Sequence, residues 1–151
     1  MQKVLAYIIA FILVAATSLS GQYFTSQSVK SDWYKRIAPK ITPPSIVFPI
    51  VWTILYILII IALGRALVKN NNTLVLLFVI NLIFNVIWCY VYFGLKNPMA
   101  AIPPLIVIII TAIYIAMLSY TADRTITYLL IPYILWTSFA LLLNSLSLKK
   151  M

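Results

Sequence analysis

The sequence has no histidine and no glutamate, and its acidic residues are Asp32 and Asp123 alone. It has a single cysteine, Cys89, and 3 glycines in 151 residues. Each scarcity excludes something. Without His, and with one Cys and two carboxylates, the common zinc sites cannot be assembled. A Ser–His–Asp or Cys–His nucleophile is excluded for the same reason. A paired-carboxylate acid/base site would need Asp32 to meet Asp123, and the two fall in different connections between hydrophobic runs. A lone Cys89 forms no intrachain disulfide and reports no redox compartment. No metal and no cofactor is expected from this inventory. Charge is scarce as well: 9% of residues are charged, against about 25% in ordinary globular chains. Hydrophobic residues make up 64%, against about 45–50%, and mean hydropathy is +1.08. A chain this short cannot hide so much apolar surface from water, so its solvent is lipid.

What is present is long hydrophobic runs. A membrane-crossing helix needs about 20 mostly apolar residues, and five such runs occur, over about 4–24, 46–68, 73–94, 99–120 and 125–148. Residues 1–151 therefore read as one all-α membrane domain, a five-transmembrane-helix bundle. Lys69-Asn70-Asn71-Asn72, Lys96-Asn97-Pro98 and Ala122-Asp123-Arg124 separate the later runs. Links this short predict antiparallel neighbours. Only the first connection, about 25–45, is long. The first run also admits a signal-peptide reading, with Met1-Gln2-Lys3 before it and Ala15-Ala16-Thr17-Ser18 near its end. Its apolar character continues beyond Leu19, which favours a span.

Net charge is +9, yet no basic cluster of the nucleic-acid type occurs. The cations sit at the ends of the runs and in the long connection. Five crossings put Lys3, Arg65, Lys69 and Arg124 on one side, and Lys30, Lys35, Arg36, Lys40, Lys96, Lys149 and Lys150 on the other. The more basic side is expected to be cytoplasmic. That places the N-terminus outside, and the long connection and the C-terminus inside. Pro103 and Pro104 predict a kink or a late start in the fourth helix. Pro132 predicts the same in the fifth, whereas Pro49 falls in the first turn of its helix, where proline is tolerated.

Aromatic residues are plentiful, with 4 Trp, 10 Tyr and 7 Phe. Asn81, Asn85, Trp88 and Tyr92 share one face of the third span. Trp52 and Tyr56 lie one turn apart on the second. Tyr133, Trp136, Ala140 and Asn144 align on the fifth. An amide in hydrocarbon must find partners, so Asn81 and Asn85 either glue helices together or line a cavity. Tyr7, Trp33, Tyr90 and Tyr120 suit interfacial anchors. Trp52, Trp88 and Trp136 lie deeper, roughly 9–16 Å from the interface at 1.5 Å per residue. Interior aromatic stripes beside amides suggest a pocket for a flat, largely apolar ligand. Asn85 would supply one orienting polar contact. Lys30, Lys35, Arg36 and Lys40 in the long connection would attract ligand carboxylates or anionic lipid head groups.

Trp33-Tyr34, Thr42-Pro43-Pro44, Phe48-Pro49, Trp52 and Leu55-Tyr56 resemble the first loop and second helix of the TspO/translocator protein family, the tryptophan-rich sensory proteins or peripheral benzodiazepine receptors. Asn81-Leu82-Ile83-Phe84-Asn85 with Trp88 resembles its third-helix motif. Pro132-Tyr133, Trp136, Phe139-Ala140 and Asn144 resemble its fifth. The resemblance implies a five-helix bundle, often a homodimer, with a pocket under the first loop that takes porphyrins such as protoporphyrin IX. It implies ligand-lining roles for Tyr34, Pro43, Phe48, Trp52, Tyr56, Asn85, Trp88, Trp136 and Ala140. Some bacterial members are credited with light-dependent porphyrin breakdown through two tryptophans, which correspond to Trp52 and Trp136. There are two departures from the family pattern. Ile41 stands where the family usually has Trp, in a loop one residue shorter. The stretch after Asn144, Ser145-Leu146-Ser147-Leu148-Lys149, lacks the Tyr of the animal sterol motif.

The leading expectation is thus a porphyrin-binding membrane protein for sensing, sequestration or transfer. The alternatives are light- and oxygen-dependent porphyrin degradation, a lipid or sterol transporter, and a structural partner subunit.

Overall fold

A computed structural model describes all 151 residues. Helix α1 (Lys3–Ser28) leads into the short α2 (Asp32–Ile37) and then α3 (Val47–Val68). Helix α4 (Asn72–Cys89) continues as a π-helical turn, Tyr90–Gly94. Helix α5 (Ile102–Ala122) and α6 (Arg124–Ser147) follow, and a 3-10 turn, Leu148–Lys150, ends the chain. All helices except α2 are long and apolar enough to cross a membrane. They are apolar on every face. Ile8, Phe11 and Ile12 of α1, Ile54, Ile57 and Ile61 of α3, and Ile110, Ile113 and Met117 of α5 are exposed. Such a surface is stable only against lipid.

Local chemistry sets the helix ends. The Ser31 hydroxyl accepts from the Tyr34 N–H (3.2 Å) and caps α2. Asn71 caps α4 through the Leu74 N–H (3.1 Å), and Asp123 caps α6 through the Thr125 N–H (3.1 Å). Asn70 and Lys96 turn the chain in the left-handed region, at φ 51° and 52°. Helix α5 starts late, at Ile102, with its prolines in the first turn, as the Pro103-Pro104 pair predicts. Helix α6 runs on through Pro132, which occupies an exposed position.

The five long helices form a ring in the order α1, α3, α6, α5, α4, closing back on α1. The short 69–72 link does bring α3 and α4 together, but it does not make them each other's main partner. Helix α3 packs more extensively on α1 and α6. The reason lies in side-chain size. Helix α1 turns Ala6, Ala10, Val14, Thr17 and Gly21 inward, and small faces allow close helix approach. At one contact the Tyr7 ring lies directly against Gly64 of α3, leaving no space for a Cβ. Helix α1 packs as one continuous helix, with Ala6, Ala10 and Val14 in the bundle core.

The two ends of the bundle differ. At one end the Met1 amino group donates to Asn70 Oδ1 (3.2 Å), and Arg65 and Lys69 both pair with Asp123 (2.8 and 3.2 Å). At the other end Lys150 Nζ donates to the Ala38 carbonyl (2.9 Å), tying the last turn to the segment after α2. Asp32, 97% exposed at its side chain, lies at this second end, so the two carboxylates are separated by the length of the bundle.

Candidate functional site

Rings from α3, α4 and α6 meet inside the second end of the bundle. Trp52 stands at the centre, with ring centroids 5.4 Å from Tyr56, 6.3 Å from Trp88 and 6.4 Å from Tyr133. One turn earlier on α3, Phe48 packs edge-on against Trp136 of α6 at 5.8 Å. Helix α2 lies over this assembly. Its Tyr34 packs on Phe93 (5.9 Å) and its Trp33 on Tyr92 (6.0 Å), and both partners touch Trp88 (6.1 Å). Apart from the Phe48–Trp136 pair, the rings form one connected group from the loop helix into the bundle. The π turn makes this possible. Tyr92 and Phe93 both lie in that turn, and both are buried.

A hydrogen-bond chain crosses the bundle beside the rings. The Tyr56 hydroxyl donates to Asn85 Oδ1 (3.2 Å), and Asn85 Nδ2 donates to the Tyr133 hydroxyl (3.2 Å). The Tyr133 hydroxyl donates to Asn81 Oδ1 (2.7 Å). Asn81 Nδ2 donates to the Ile108 carbonyl and to Thr111 Oγ1, both at 2.8 Å. Nearby, the Trp88 indole donates to Asn144 Oδ1 (3.2 Å), and Asn144 Nδ2 donates to the Pro98 carbonyl (2.7 Å). Asn81 joins α4 to α5 and α6, the helix-joining alternative. Asn85 joins α3 to α6 while sitting among the rings, so it serves the packing of the site wall directly. The helix-joining alternative accounts for both of its side-chain bonds.

Of the residues singled out from sequence, Trp52, Tyr56, Asn85 and Trp88 come together, and Phe48 and Trp136 form a separate pair at the same end of the bundle. Tyr34 reaches Trp88 through Phe93. Burial pushes the Tyr34 phenol up to about 12, with Tyr92 adding to the shift, so it stays a protonated donor at neutral pH. Pro43 is half-buried in the segment between α2 and α3, and Ala140 lies one turn beyond Trp136 on α6, packed on the core. Lys30, Lys35, Arg36 and Lys40 are exposed around the same end. Tyr133, fully buried at the meeting point of the ring group and the hydrogen-bond chain, belongs to the site too. Its signal in the sequence was the shared stripe with Trp136. Tyr92 and Phe93 had no joint signal, because helical spacing puts adjacent residues on different faces.

The sequence model of the TspO/MBR family matches residues 8–147. The chain is 34% identical over 146 residues to the tryptophan-rich protein TspO of Archaeoglobus fulgidus, covering 94% of each. It is 30% identical over 148 residues to the tryptophan-rich protein TspO of Chlorobaculum tepidum, covering 95% of this chain and 94% of that relative. It is also 30% identical to a tryptophan-rich sensory protein of Cereibacter sphaeroides, over 89% and 87% of the two chains. A family match over nearly the whole length, five membrane-spanning helices and an interior tryptophan–tyrosine group lead to one assignment: this chain belongs to the TspO/MBR family and is an integral, multi-pass membrane protein.

Proposed function

We propose that this protein binds a flat, largely apolar tetrapyrrole of the protoporphyrin IX kind, for sensing, sequestration or transfer. The binding site is formed by the rings of Phe48, Trp52, Tyr56, Trp88 and Trp136, with Tyr34, Pro43, Asn85 and Ala140 completing its walls. The observation that carries the reading is Trp52, an interior indole in contact with aromatic rings from three helices. A ring inserted among them stacks at about 0.5–1.5 kcal/mol per aromatic pair beyond burial. The cations around this end supply long-range attraction for carboxylates on the ligand rim. A relative called a sensory protein agrees with a sensing role. The test is a titration of detergent-purified protein with protoporphyrin IX in the dark, read by tryptophan fluorescence. Saturable micromolar quenching, weakened in Trp52→Phe/Trp88→Phe, supports the site. Weak, linear quenching that the mutations leave unchanged reflects partitioning into detergent and removes the reading.

The presence of the indoles Trp52 and Trp136 at the same end of the bundle, Trp136 against Phe48 one turn before Trp52, favours a second reading, light- and oxygen-dependent breakdown of the bound porphyrin. The porphyrin absorbs the light, oxygen is the oxidant, and the indoles are the oxidisable side chains at hand. In this reading Trp52→Phe/Trp136→Phe abolishes light-driven porphyrin loss and leaves much of the dark binding. Porphyrin loss at the wild-type rate in the double mutant rules it out.

A further inference from the structure

Many hydroxyl groups in this bundle return to a carbonyl one turn back. Thr17 donates to Leu13 (3.0 Å), Thr25 to Gly21 (2.6 Å), Thr53 to Pro49 (2.7 Å) and Thr137 to Tyr133 (2.8 Å). The buried amides Asn81, Asn85 and Asn144 and the phenols of Tyr56 and Tyr133 are paired as well, Asn85 at both its oxygen and its nitrogen. One buried side-chain polar atom has no partner: Thr42 Oγ1. The local sequence explains why. Pro43 disfavours the helical region for the residue before it, and Thr42 makes no hydroxyl bond to a carbonyl one turn back. Its own N–H closes a turn onto the Pro39 carbonyl (3.0 Å). Pro43 and Pro44 bring no N–H of their own. A buried polar atom without a partner calls for an explanation, and a role in holding a bound group is one.

Thr42 stands in the segment that joins α2 to α3. One end of that segment carries Tyr34, in contact with the ring group through Phe93, and the other runs into Phe48, in contact with Trp136. We infer that the Thr42 hydroxyl is the polar contact for a carboxylate on the bound ligand, an assignment that rests on the tetrapyrrole reading above. A hydroxyl donates one proton and rotates to suit, and a bond from it to an ionised carboxylate is about twice as strong as a neutral one. Exposed Lys40, two residues away, favours the same charge.

The test compares wild type with Thr42→Val, which keeps the shape and removes the hydroxyl, and Thr42→Ser, which keeps the hydroxyl. Each is titrated in the dark with protoporphyrin IX and with its dimethyl ester, and each is melted without ligand. Thr42→Val should bind the free acid about tenfold more weakly, a loss on the scale of one charge-assisted hydrogen bond. The ester should lose less than about threefold, since its carbonyl is a weaker acceptor. Thr42→Ser should stay close to wild type with both ligands, and the Thr42→Val melting temperature should not fall. Wild-type saturation with Thr42→Val binding the acid equally well overturns the inference and leaves the site reading intact. An equal loss for acid and ester together with a lower melting temperature also overturns it, by assigning the hydroxyl to a structural water. Absence of saturation in the wild type overturns both.

Discussion

Asn85 sits between two phenols, taking a proton from Tyr56 and giving one to Tyr133. Replacing it by Leu leaves the Tyr56 hydroxyl unpaired in a buried place, while Tyr133 keeps Asn81. Asn85→Leu should therefore destabilise the folded protein by about 1–3 kcal/mol, the cost of one stranded polar group. A melt of the detergent-solubilised variant checks this, and Asn85→Leu/Tyr56→Phe should recover most of the loss because both partners of that bond are then apolar. Gly64 is a second residue with a definite role. A methyl group there meets the Tyr7 ring, so Gly64→Ala should cost about 1–3 kcal/mol through overpacking. Tyr7→Ala in the same chain should restore much of it. An unchanged melting temperature in Gly64→Ala would show that α1 and α3 slide apart freely. The sequence alone pointed to Asn85 and the tryptophans, since amides and deep indoles stand out in hydrocarbon. It did not point to Gly64, whose importance depends on which ring lies opposite.

At the scale of elements, the corner between α5 and α6 is held by one carboxylate. Asp123 caps α6, receives two hydrogen bonds from the Arg65 guanidinium (2.8 and 3.1 Å) and pairs with Lys69. The Arg65 bonds, helped by Lys69 and opposed by burial, hold its carboxyl down at about 2. A carboxyl depressed in the folded state stabilises above its ordinary value near 4 and loses that contribution as pH falls through the folded value. The melting temperature should accordingly fall between about pH 4 and pH 2. Asp123→Asn should flatten that limb and lower stability at neutral pH, and an acid limb identical in the variant would assign the fall to another group. Element types and rough positions were legible from hydrophobic runs and turn residues. The first connection was not fully so, because α2 spans only Asp32–Ile37 and has no long periodic pattern to betray it. Nor was the π turn, since an inserted residue breaks the spacing by which a buried face is recognised.

Across the whole molecule, tertiary pairing sharpens the charge asymmetry. Asp123 neutralises part of the Arg65 and Lys69 charge at one end, while Lys30, Arg36, Lys40, Lys96 and Lys149 at the other remain exposed. The heavily basic end should face the cytoplasm. A fluorescent-protein fusion at the C-terminus in a bacterial host should then be bright, and an alkaline phosphatase fusion there inactive. The reverse pattern would invert the topology. The membrane setting, the helix count and the scarcity of acidic residues and histidine are properties of composition. They depend on how many residues of each kind the chain has and how they run, so the sequence alone determined them. The motif residues also established the family resemblance. The ring order that seats α3 between α1 and α6, the inward turn of both Tyr92 and Phe93, and the isolation of the Thr42 hydroxyl were decided only by the tertiary structure. Each depends on which side chain lies opposite which across separate helices, and spacing along one helix carries no record of what faces it.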